Sequence, residues 1–473
     1  MATVTSDAAE TPGNDGCPTR SAKSFLGGFF VLLGFAVTAT FAANLIVDPF
    51  GRYDLVNIRG LNAMRTQAGS HARISKLAMV CHDQPEAVVI GASRIGIGID
   101  PAHPGWGAMA GHVYNLGMPG MGLQEAGLTL RHAVYASGRL RLALVGLDFL
   151  MFNANREALA PQTEMISFDP QRFVLSEAGS CSASFLHDFD WWLGAEGLAQ
   201  SVVTVLRQMP EAERKDPDKS AIWLSLYRRD GLMDNAKLFE DRAQTGGYRA
   251  LFGSAQERYY VSVVWLPPPD RSYCFSRDGL DVFDTFRDMI GFARQAGIDL
   301  RLFTDPLHGR LLLAMQYAGL WPLYQQWKRR LVQILAEESS ESGKPAFPLW
   351  DFSGFNTITT ESVPPPGDLK TPVKWFWEPS HYKKETGDLI LDRILNYQPS
   401  AASIPDDFGI LLTPTNIEAA LAADSQKGAE YLRREPDDAA LVRSVVRDAT
   451  KNDRPFACRQ SPANDPTEHP RQR

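Results

Sequence analysis

The sequence predicts a three-layer α/β/α sandwich with a five-stranded parallel sheet, preceded by one transmembrane helix. Two patterns indicate this fold class. Short continuous apolar runs alternate with segments of helical spacing, which is typical of parallel strands that helices cover on both faces. Near the N-terminus, residues 25–47 form a run of 23 residues without a charge. As a helix this run would be about 34 Å long, enough to cross a bilayer core of about 30 Å.

The composition is that of an ordinary globular protein. The chain has 473 residues, of which 44% are hydrophobic and 22% are charged, and this length allows about two to three domains. The net charge is −7. Because Lys and Arg form no basic stripe or block, we expect no nucleic-acid partner.

The cysteines predict no metal site. Five are present, and none has the paired spacing of a structural zinc site, so we expect no metal ligation through cysteine. They are Cys17, Cys81, Cys181, Cys274 and Cys458. One disulfide, such as Cys181–Cys274, is compatible with a periplasmic location, but sequence spacing does not fix the pairing.

We interpret the uncharged run, residues 25–47, as an uncleaved transmembrane helix. It is longer than the apolar core of a signal peptide, although ATFAAN within it is also compatible with a cleavage site. Arg20 and Lys23 precede the run and favour a cytoplasmic N-terminus, whereas arginines also follow it. Residues 1–24 are predicted to be a disordered cytoplasmic segment, and residues 48–84 a turn-rich lead-in.

Five short apolar runs, each ending at a turn, are predicted to be buried parallel strands. In chain order they cover residues 86–93, 111–120, 141–148, 298–305 and 347–353. Segments with helical spacing lie between or after them, and one ends at Gly297, a typical helix cap. The predicted helices cover residues 121–137, 284–297, 320–339 and 381–395. Strands joined by helical crossovers predict a flavodoxin-like sheet.

The predicted α/β domain covers residues 85–397 and contains an insertion. The insertion, at about 155–280, is rich in Pro, Trp, Tyr and Arg and interrupts the alternation. We interpret it as a lid or substrate surface with one helix at 194–208. Residues 398–473 are predicted to be a helical C-terminal extension with a disordered tail. The helices of this extension are expected at 416–433 and 437–450.

Five residues suited to binding or catalysis lie at the carboxyl ends of the predicted strands. They are Ser93, Gly120, Asp148, Asp305 and Asp351. In an open parallel sheet, ligands bind outside the carboxyl ends of the strands. We therefore expect these residues to converge on one crevice.

Two short segments predict nucleophilic catalysis. Ser93 ends the apolar run of AVVIGASRIG, and His381 follows Glu378 by three residues in WEPSH, with Pro379 stiffening the turn. A serine hydroxyl needs a base that a third group orients, and an imidazole with a pKa near ~6.5 can accept its proton. The backbone N–H groups of Ser93 and Gly120 are the candidate oxyanion donors.

Four motifs occur in the order VVIGASR, YNLGMPG, ALVGLDFLMF and EPSH. This pattern resembles the SGNH (GDSL-like) hydrolase superfamily. It is most similar to the membrane-anchored bacterial cell-envelope members, whose relatives take part in exopolysaccharide O-acetylation and teichoic acid D-alanylation. The resemblance covers roughly residues 85–155 and 280–396. The resemblance implies an SGNH-like fold. It also implies the roles that the two short segments suggest: Ser93 as nucleophile, His381 as base and Glu378 as acid.

The chain departs from this family's pattern at three positions. Ala92 replaces the usual Asp before the nucleophile, and Glu378 replaces the usual Asp of the acid. Asp148 stands where the family has an oxyanion-donating asparagine, and an ionised carboxylate cannot donate. The alternatives are that Asp148 is protonated, that Asn153 substitutes for it, or that the chemistry is weakened.

The candidate substrate-binding residues are Arg94, Asn115, Asp148, His308 and Trp377. Each has a structural alternative. Arg94 suits an anionic or sugar group but equally a salt bridge, and Asp148 suits a structural role better than a catalytic one. His308 is also readable as an ordinary loop histidine. Trp377 offers a face for a sugar ring, yet such residues more often close a core.

The resemblance implies a serine esterase or O-acyltransferase that acts on an acylated envelope polysaccharide through an acyl-serine intermediate. No metal or organic cofactor is expected. The expected location is the bacterial inner membrane, with one pass and a periplasmic C-terminal domain. The expected partners are the membrane and an envelope polysaccharide or an acyl-donor membrane protein. The alternative is a catalytically weak or inactive glycan-binding or scaffold component of a complex that modifies or exports the polysaccharide.

Overall fold

The computed structural model describes residues 19–51, 53, 55–63, 67, 71–155, 173, 181, 192–208, 227–253, 260–261, 272–277, 279–398 and 404–449. Much of the predicted insertion and the predicted disordered tail lie outside these residues, as does most of the predicted disordered N-terminus. Where that N-terminus is described, from Thr19 onward, it is helical, so the first helix begins earlier than predicted.

The central sheet is mostly parallel. Its strands are β1 (Ala87–Ile90), β2 (Val113–Asn115), β3 (Leu142–Leu147), β6 (Asp299–Thr304), β7 (Leu349–Asp351) and β8 (Ile410–Leu411), in the spatial order β2-β1-β3-β6-β7-β8. The first five pair in parallel, as predicted. A separate antiparallel hairpin consists of β4 (Ser276–Arg277) and β5 (Leu280–Asp281).

The prediction of five strands is wrong, because β8 adds a sixth. It comes from the C-terminal extension and pairs antiparallel to β7, with Trp350 opposite Leu411. Its two residues are exposed. A strand this short and this exposed has no hydrophobic periodicity from which to predict it.

Helices lie on both sides of the sheet. In the described part of the chain they are α1 (Thr19–Val47), α2 (Ala72–Asp83), α3 (Ser93–Gly98), α4 (Leu123–Ser137), α5 (Ala195–Leu206), α6 (Ala236–Phe252), α7 (Val282–Gln295), α8 (Gly309–Tyr317), α9 (Trp321–Ser342), α10 (Lys384–Leu395), α11 (Ile417–Arg434) and α12 (Pro436–Ala449). A 3-10 helix, Phe149–Phe152, follows β3 directly.

The two faces of the sheet carry separate hydrophobic cores. Val88 and Ile90 of β1 join apolar residues of α4, α7 and α9 in one core. Ala87 and Val89 join α3 and α10 in the other. Successive strand residues point to opposite faces, so the complete burial of all four residues requires a helical layer on each side.

The N-terminal helix α1 is long and apolar enough to cross a membrane. Lys23–Val47 spans 25 residues with a mean hydropathy of 2.2 and is mostly exposed. Burial against the rest of the chain begins at Thr40, near its C-terminal end. The segment therefore has the dimensions of one membrane span.

A disulfide joins Cys81 of α2 to Cys181 of the insertion, across 100 residues of sequence. The Cys181–Cys274 pairing considered from the sequence is therefore wrong. Spacing could not select the pair, because disulfide partners are set by the three-dimensional proximity of their Cα atoms, here 5.9 Å apart.

The C-terminal extension packs into the fold. Its helices α11 and α12 lie against α8, and buried Asp438 of α12 forms ion pairs with Arg310 of α8 and with Arg249 of α6. Because a buried charge without its partner is strongly destabilising, these ion pairs hold α12 in place. The extension is therefore tied to both the central domain and the insertion.

Candidate active site

Ser93 lies at the carboxyl edge of the sheet because β1 ends at Ile90, three residues before it. Gly91 and Ala92 make the turn, and Ser93 is the first residue of α3. Fully buried Ile95 holds α3 in the core. The Ser93 hydroxyl therefore lies at the carboxyl end of β1, where the sequence predicted it.

Asn115 fixes this turn from the neighbouring strand β2. Its Nδ2 donates to the carbonyls of Ile95 (2.9 Å) and Ile99 (2.7 Å), and its Oδ1 accepts from the Gly117 amide at 2.8 Å. The side chain is fully buried. Since both amide hydrogens bond to protein carbonyls, Asn115 holds α3 against the loop after β2 rather than facing a substrate.

The WEPSH turn brings an imidazole and a carboxylate to Ser93. Ser93 Oγ lies 2.8 Å from His381 Nε2, across 288 residues of sequence. His381 Nδ1 hydrogen bonds Glu378 Oε1. Glu378 is completely buried, and its second oxygen accepts from the Ser380 amide at 3.0 Å. Hydroxyl, imidazole and carboxylate thus form one continuous hydrogen-bonded chain.

The two candidate oxyanion donors lie in adjacent backbone segments. The Met118 amide donates to the Gly91 carbonyl at 3.0 Å, which places the loop that contains Gly120 beside the nucleophile turn. Gly120 has φ +68°, a left-handed turn conformation that favours glycine. Within the described residues, the N–H groups of Ser93 and Gly120 donate no hydrogen bond to the protein. Both therefore have the capacity to bind an oxyanion.

Arg94 and Asp148 face each other rather than a substrate. The buried Arg94 guanidinium pairs with Asp148 Oδ2, and its Nε donates to the Ser380 carbonyl at 2.8 Å. Burial opposes the charge, but the adjacent carboxylate of Asp148 raises the pKa of Arg94. Asp148 Oδ1 accepts from the Leu150 amide at 2.8 Å, capping the 3-10 helix. Arg94 therefore connects helix α3, the end of β3 and the turn that contains His381.

Asn153, the alternative oxyanion donor considered from the sequence, is held in place through its side-chain oxygen. Its Oδ1 accepts from the amides of Asn155 and Cys274, each at 3.1 Å. The side chain is buried. This arrangement ties the chain after β3 to the segment that returns from the insertion.

His308 lies behind the WEPSH turn. Its backbone amide donates to the Pro379 carbonyl at 3.0 Å. Its ring nitrogens contact the Glu361 carbonyl (2.9 Å) and the Arg310 amide (3.3 Å). Burial lowers the pKa of His308 to about 3, so the ring is neutral at physiological pH. The residue supports the turn instead of reaching a substrate.

Trp377 packs beside His381 against helix α6 of the insertion. Its ring stacks on Phe239 of α6, with centroids 5.5 Å apart and an interplanar angle of 11°. The Phe239 centroid lies 6.3 Å from that of His381. Lys383 Nζ lies 4.4 Å from the Trp377 ring centroid. Helix α6 therefore borders the candidate site, a placement with no local signal in the sequence.

Asp305 and Tyr260 join the site's polar network. Burial raises the pKa of Asp305 to about 7, against the opposing charge of Arg94, and the Tyr382 hydroxyl donates to it at 3.2 Å. The Ser380 hydroxyl donates to the Tyr260 hydroxyl. Asp305 was identified only as a strand-end residue, and Tyr260 gave no signal because it lies in the insertion.

Asp351, the other predicted strand-end carboxylate, belongs to a separate buried network. It pairs with Lys328 at 2.8 Å and accepts from the Thr304 hydroxyl at 2.5 Å. Lys328 also lies 3.7 Å from Asp424. Asp351 thus stabilises the junction of β6, β7 and α9 and does not contact the Ser93 chain.

The described residues contain no group of three or more His, Cys, Asp or Glu side chains placed to hold a metal ion. Comparison of the chain with protein-family models, curated proteins and solved structures found no match. The site is therefore interpreted from its own geometry. A hydroxyl, an imidazole and a buried carboxylate that are hydrogen-bonded in this order are able to act as nucleophile, base and orienting acid.

Proposed function

We propose that this protein is a membrane-anchored serine esterase or O-acyltransferase of SGNH-like type. The observation that carries the proposal is the hydrogen-bonded chain from Ser93 through His381 to Glu378. Three side chains from two distant segments meet with the connectivity that activates a serine hydroxyl. A surface serine or a helix-capping serine has no need of a histidine paired with a buried carboxylate.

The proposed reaction begins with an ester carbonyl above Ser93. His381 Nε2 takes the hydroxyl proton as Ser93 Oγ bonds to the carbonyl carbon. Glu378 accepts the hydrogen bond from His381 Nδ1–H and stabilises the imidazolium. The N–H groups of Ser93 and Gly120 stabilise the tetrahedral oxyanion. Collapse breaks the ester C–O bond, and His381 returns its proton to the leaving alcohol. The product is an acyl-Ser93 ester.

The second half of the reaction resolves this ester. His381 removes a proton from water or from an acceptor hydroxyl, whose oxygen attacks the acyl carbonyl. Ser93 leaves and regains its proton from His381. Hydrolysis and transfer share every step and differ only in the acceptor. We propose an O-acyl group on an envelope polysaccharide as substrate, on the basis of the four motifs that resemble the SGNH superfamily.

Two observations support a periplasmic location at the inner membrane. Helix α1 has the length and hydropathy of a membrane span. The Cys81–Cys181 disulfide favours an oxidising compartment, because cytosolic thiols are kept reduced. An anchored site would meet membrane-linked polysaccharide or an acyl-donor membrane protein, which favours transfer within a complex.

The proposal is tested by p-nitrophenyl acetate turnover between pH 6 and 9. We expect Ser93→Ala to lower turnover by about 10³-fold or more, since residues of such a chain act as a unit. Ser340→Ala, an exposed serine of α9, is the matched control and should retain wild-type turnover. Turnover that is absent from the wild type, or equal in Ser93→Ala, contradicts the proposal.

A second candidate is a glycan-binding or scaffold component without turnover. The observation that favours it is Asp148, whose oxygens accept from Arg94 and Leu150 and so supply no third oxyanion donor. This candidate predicts polysaccharide binding that Ser93→Ala leaves unchanged. Binding by isothermal calorimetry, combined with absent turnover in the wild type, would select it.

A further inference from the structure

Helix α5 of the insertion has an apolar outer face. Its exposed stripe consists of Ala195, Leu198, Ala199, Val202 and Leu206. Val202 is 50% exposed and Leu206 is 77% exposed. Surface helices normally turn charged and polar residues outward. On α5 the exposed Glu196 lies at one side of the stripe, and the stripe itself carries no polar residue, which is unusual for a helix in water.

The opposite face of α5 packs against α1. Its buried residues are small, namely Gly197, Ser201 and Thr204. The Ser201 hydroxyl donates to Asn44 Oδ1 at 2.8 Å, and Asn44 Nδ2 donates to the Trp192 carbonyl at 2.9 Å. Small residues and interhelical polar contacts are typical of helix packing in membranes.

The contact with α1 sets the depth of α5. Asn44 lies in the last turn of α1, which ends at Val47, and the Phe41 ring stacks on Trp192 with centroids 4.8 Å apart. If α1 spans the bilayer, its last turn lies at the bilayer boundary. With 12 residues, α5 is about 18 Å long and too short to span a core of about 30 Å.

Exposed apolar side chains also occur on α1 and in the segments next to α1 and α5. On α1, the exposed large apolar side chains include Leu32 at 71%, Val37 at 42% and Ile46 at 43%. Leu55 and Ile58, just after α1, and Leu193, just before α5, are exposed as well. Both helices therefore carry exposed apolar side chains close to the contact between Asn44 and Ser201.

We propose that α5 is an interfacial membrane helix whose apolar stripe inserts into the outer boundary of the lipid bilayer beside α1. This inference rests on the proposed membrane location of α1 and is independent of catalysis at Ser93. A short helix with one apolar face lies in the plane of the interface. It gives the domain a second membrane contact, which fixes its orientation instead of leaving it on a single flexible anchor.

The test uses the full chain in nanodiscs of phosphatidylethanolamine and phosphatidylglycerol. The photoreactive residue p-benzoylphenylalanine replaces Val202 or, in a second variant, Leu206. A third variant carries it at Leu32 of α1, and a control carries it at Leu441, an exposed apolar residue of α12. After irradiation, mass spectrometry identifies phospholipid adducts. We expect adducts at positions 202, 206 and 32, and at least a tenfold lower yield at position 441.

Two outcomes overturn the inference alone. One is a lipid adduct at position 32 without one at 202 or 206. The other is crosslinking of position 202 or 206 to a second protein chain, which would mean that a protein covers the stripe. Absence of lipid adducts at all positions, including 32, overturns the membrane location and this inference together. Labelling of Ser93 by a fluorophosphonate reports on the catalytic proposal separately.

Discussion

Arg94 and Asp148 form a buried ion pair that joins helix α3, which begins at Ser93, to the end of the central strand β3. This pair gives Asp148 a structural role at the position where a hydrogen-bond donor was expected. Because Arg94 also bonds to the Ser380 carbonyl, the pair acts on both halves of the site. Arg94 and Asp148 are positioning residues in this interpretation.

Asp148→Asn is therefore expected to lower both stability and turnover. Leaving the buried Arg94 charge without its carboxylate costs about 3–5 kcal/mol, which urea denaturation would measure. The double variant Arg94→Met, Asp148→Leu removes both charges and should recover part of this stability without recovering turnover. Higher turnover in Asp148→Asn would instead mean that the carboxylate weakens the oxyanion site.

Glu378→Gln is expected to reduce turnover by about 10³-fold or more with little change in KM. Glu378 accepts from both His381 Nδ1 and the Ser380 amide. An amide has only one accepting oxygen, so one of these donors would face an NH₂ group. The measurement is kcat and KM for p-nitrophenyl acetate, with Glu385→Gln, a carboxylate in the first turn of α10, as control. Unchanged kcat in Glu378→Gln would refute the orienting role.

Asp305→Asn is expected to change stability in a pH-dependent way. Burial raises the pKa of Asp305 to about 7. Between about pH 4 and pH 7, the folded state keeps a proton that the unfolded state loses, so stability falls as pH rises. The amide does not ionise and so removes this penalty. The Tm of the variant minus that of the wild type should therefore be several degrees larger at pH 8 than at pH 5. Asp299→Asn, at the exposed start of β6, is the control for the general effect of replacing a carboxylate by an amide. A Tm difference between Asp305→Asn and the wild type that is equal at pH 5 and pH 8 would contradict the raised pKa of Asp305.

Asp438→Asn tests whether the C-terminal extension is part of the folded domain. Asp438 pairs with Arg310 and Arg249, and Arg310 is completely buried. Breaking such a pair is expected to cost about 3 kcal/mol or more. Asp437→Asn, an exposed neighbour in the same helix turn, should be nearly neutral. Equal urea midpoints for the two variants would mean that the extension folds independently.

The fold was predictable where burial leaves a pattern in the sequence. Strands β1 and β3 are buried on both faces and appear as continuous apolar runs, so the mostly parallel sheet with two helical layers was predicted correctly. Strand β8 was not predictable, because a strand of two exposed residues shows no hydrophobic periodicity. The disulfide partner of Cys181 also could not be predicted, since it depends on which loop returns to α2.

The site was predictable only in its local parts. Ser93 follows a strand, and Glu378 and His381 share one turn, so each segment carries its own signal. The roles of Asn115, Arg94 and His308 depend on what buries them. Each has chemistry suited to a substrate, but each is buried and bonded to protein partners from other segments. The position of α6 beside His381 likewise follows from tertiary packing alone.

The central claim is that Ser93 is a nucleophile activated by His381, and covalent labelling tests it most directly. Wild-type protein is treated with a fluorophosphonate and analysed by intact-mass and peptide mass spectrometry. We expect one phosphonyl adduct on Ser93, no adduct in Ser93→Ala, and labelling at least 100-fold slower in His381→Gln. An unlabelled wild type, or labelling that persists in Ser93→Ala, would contradict the account.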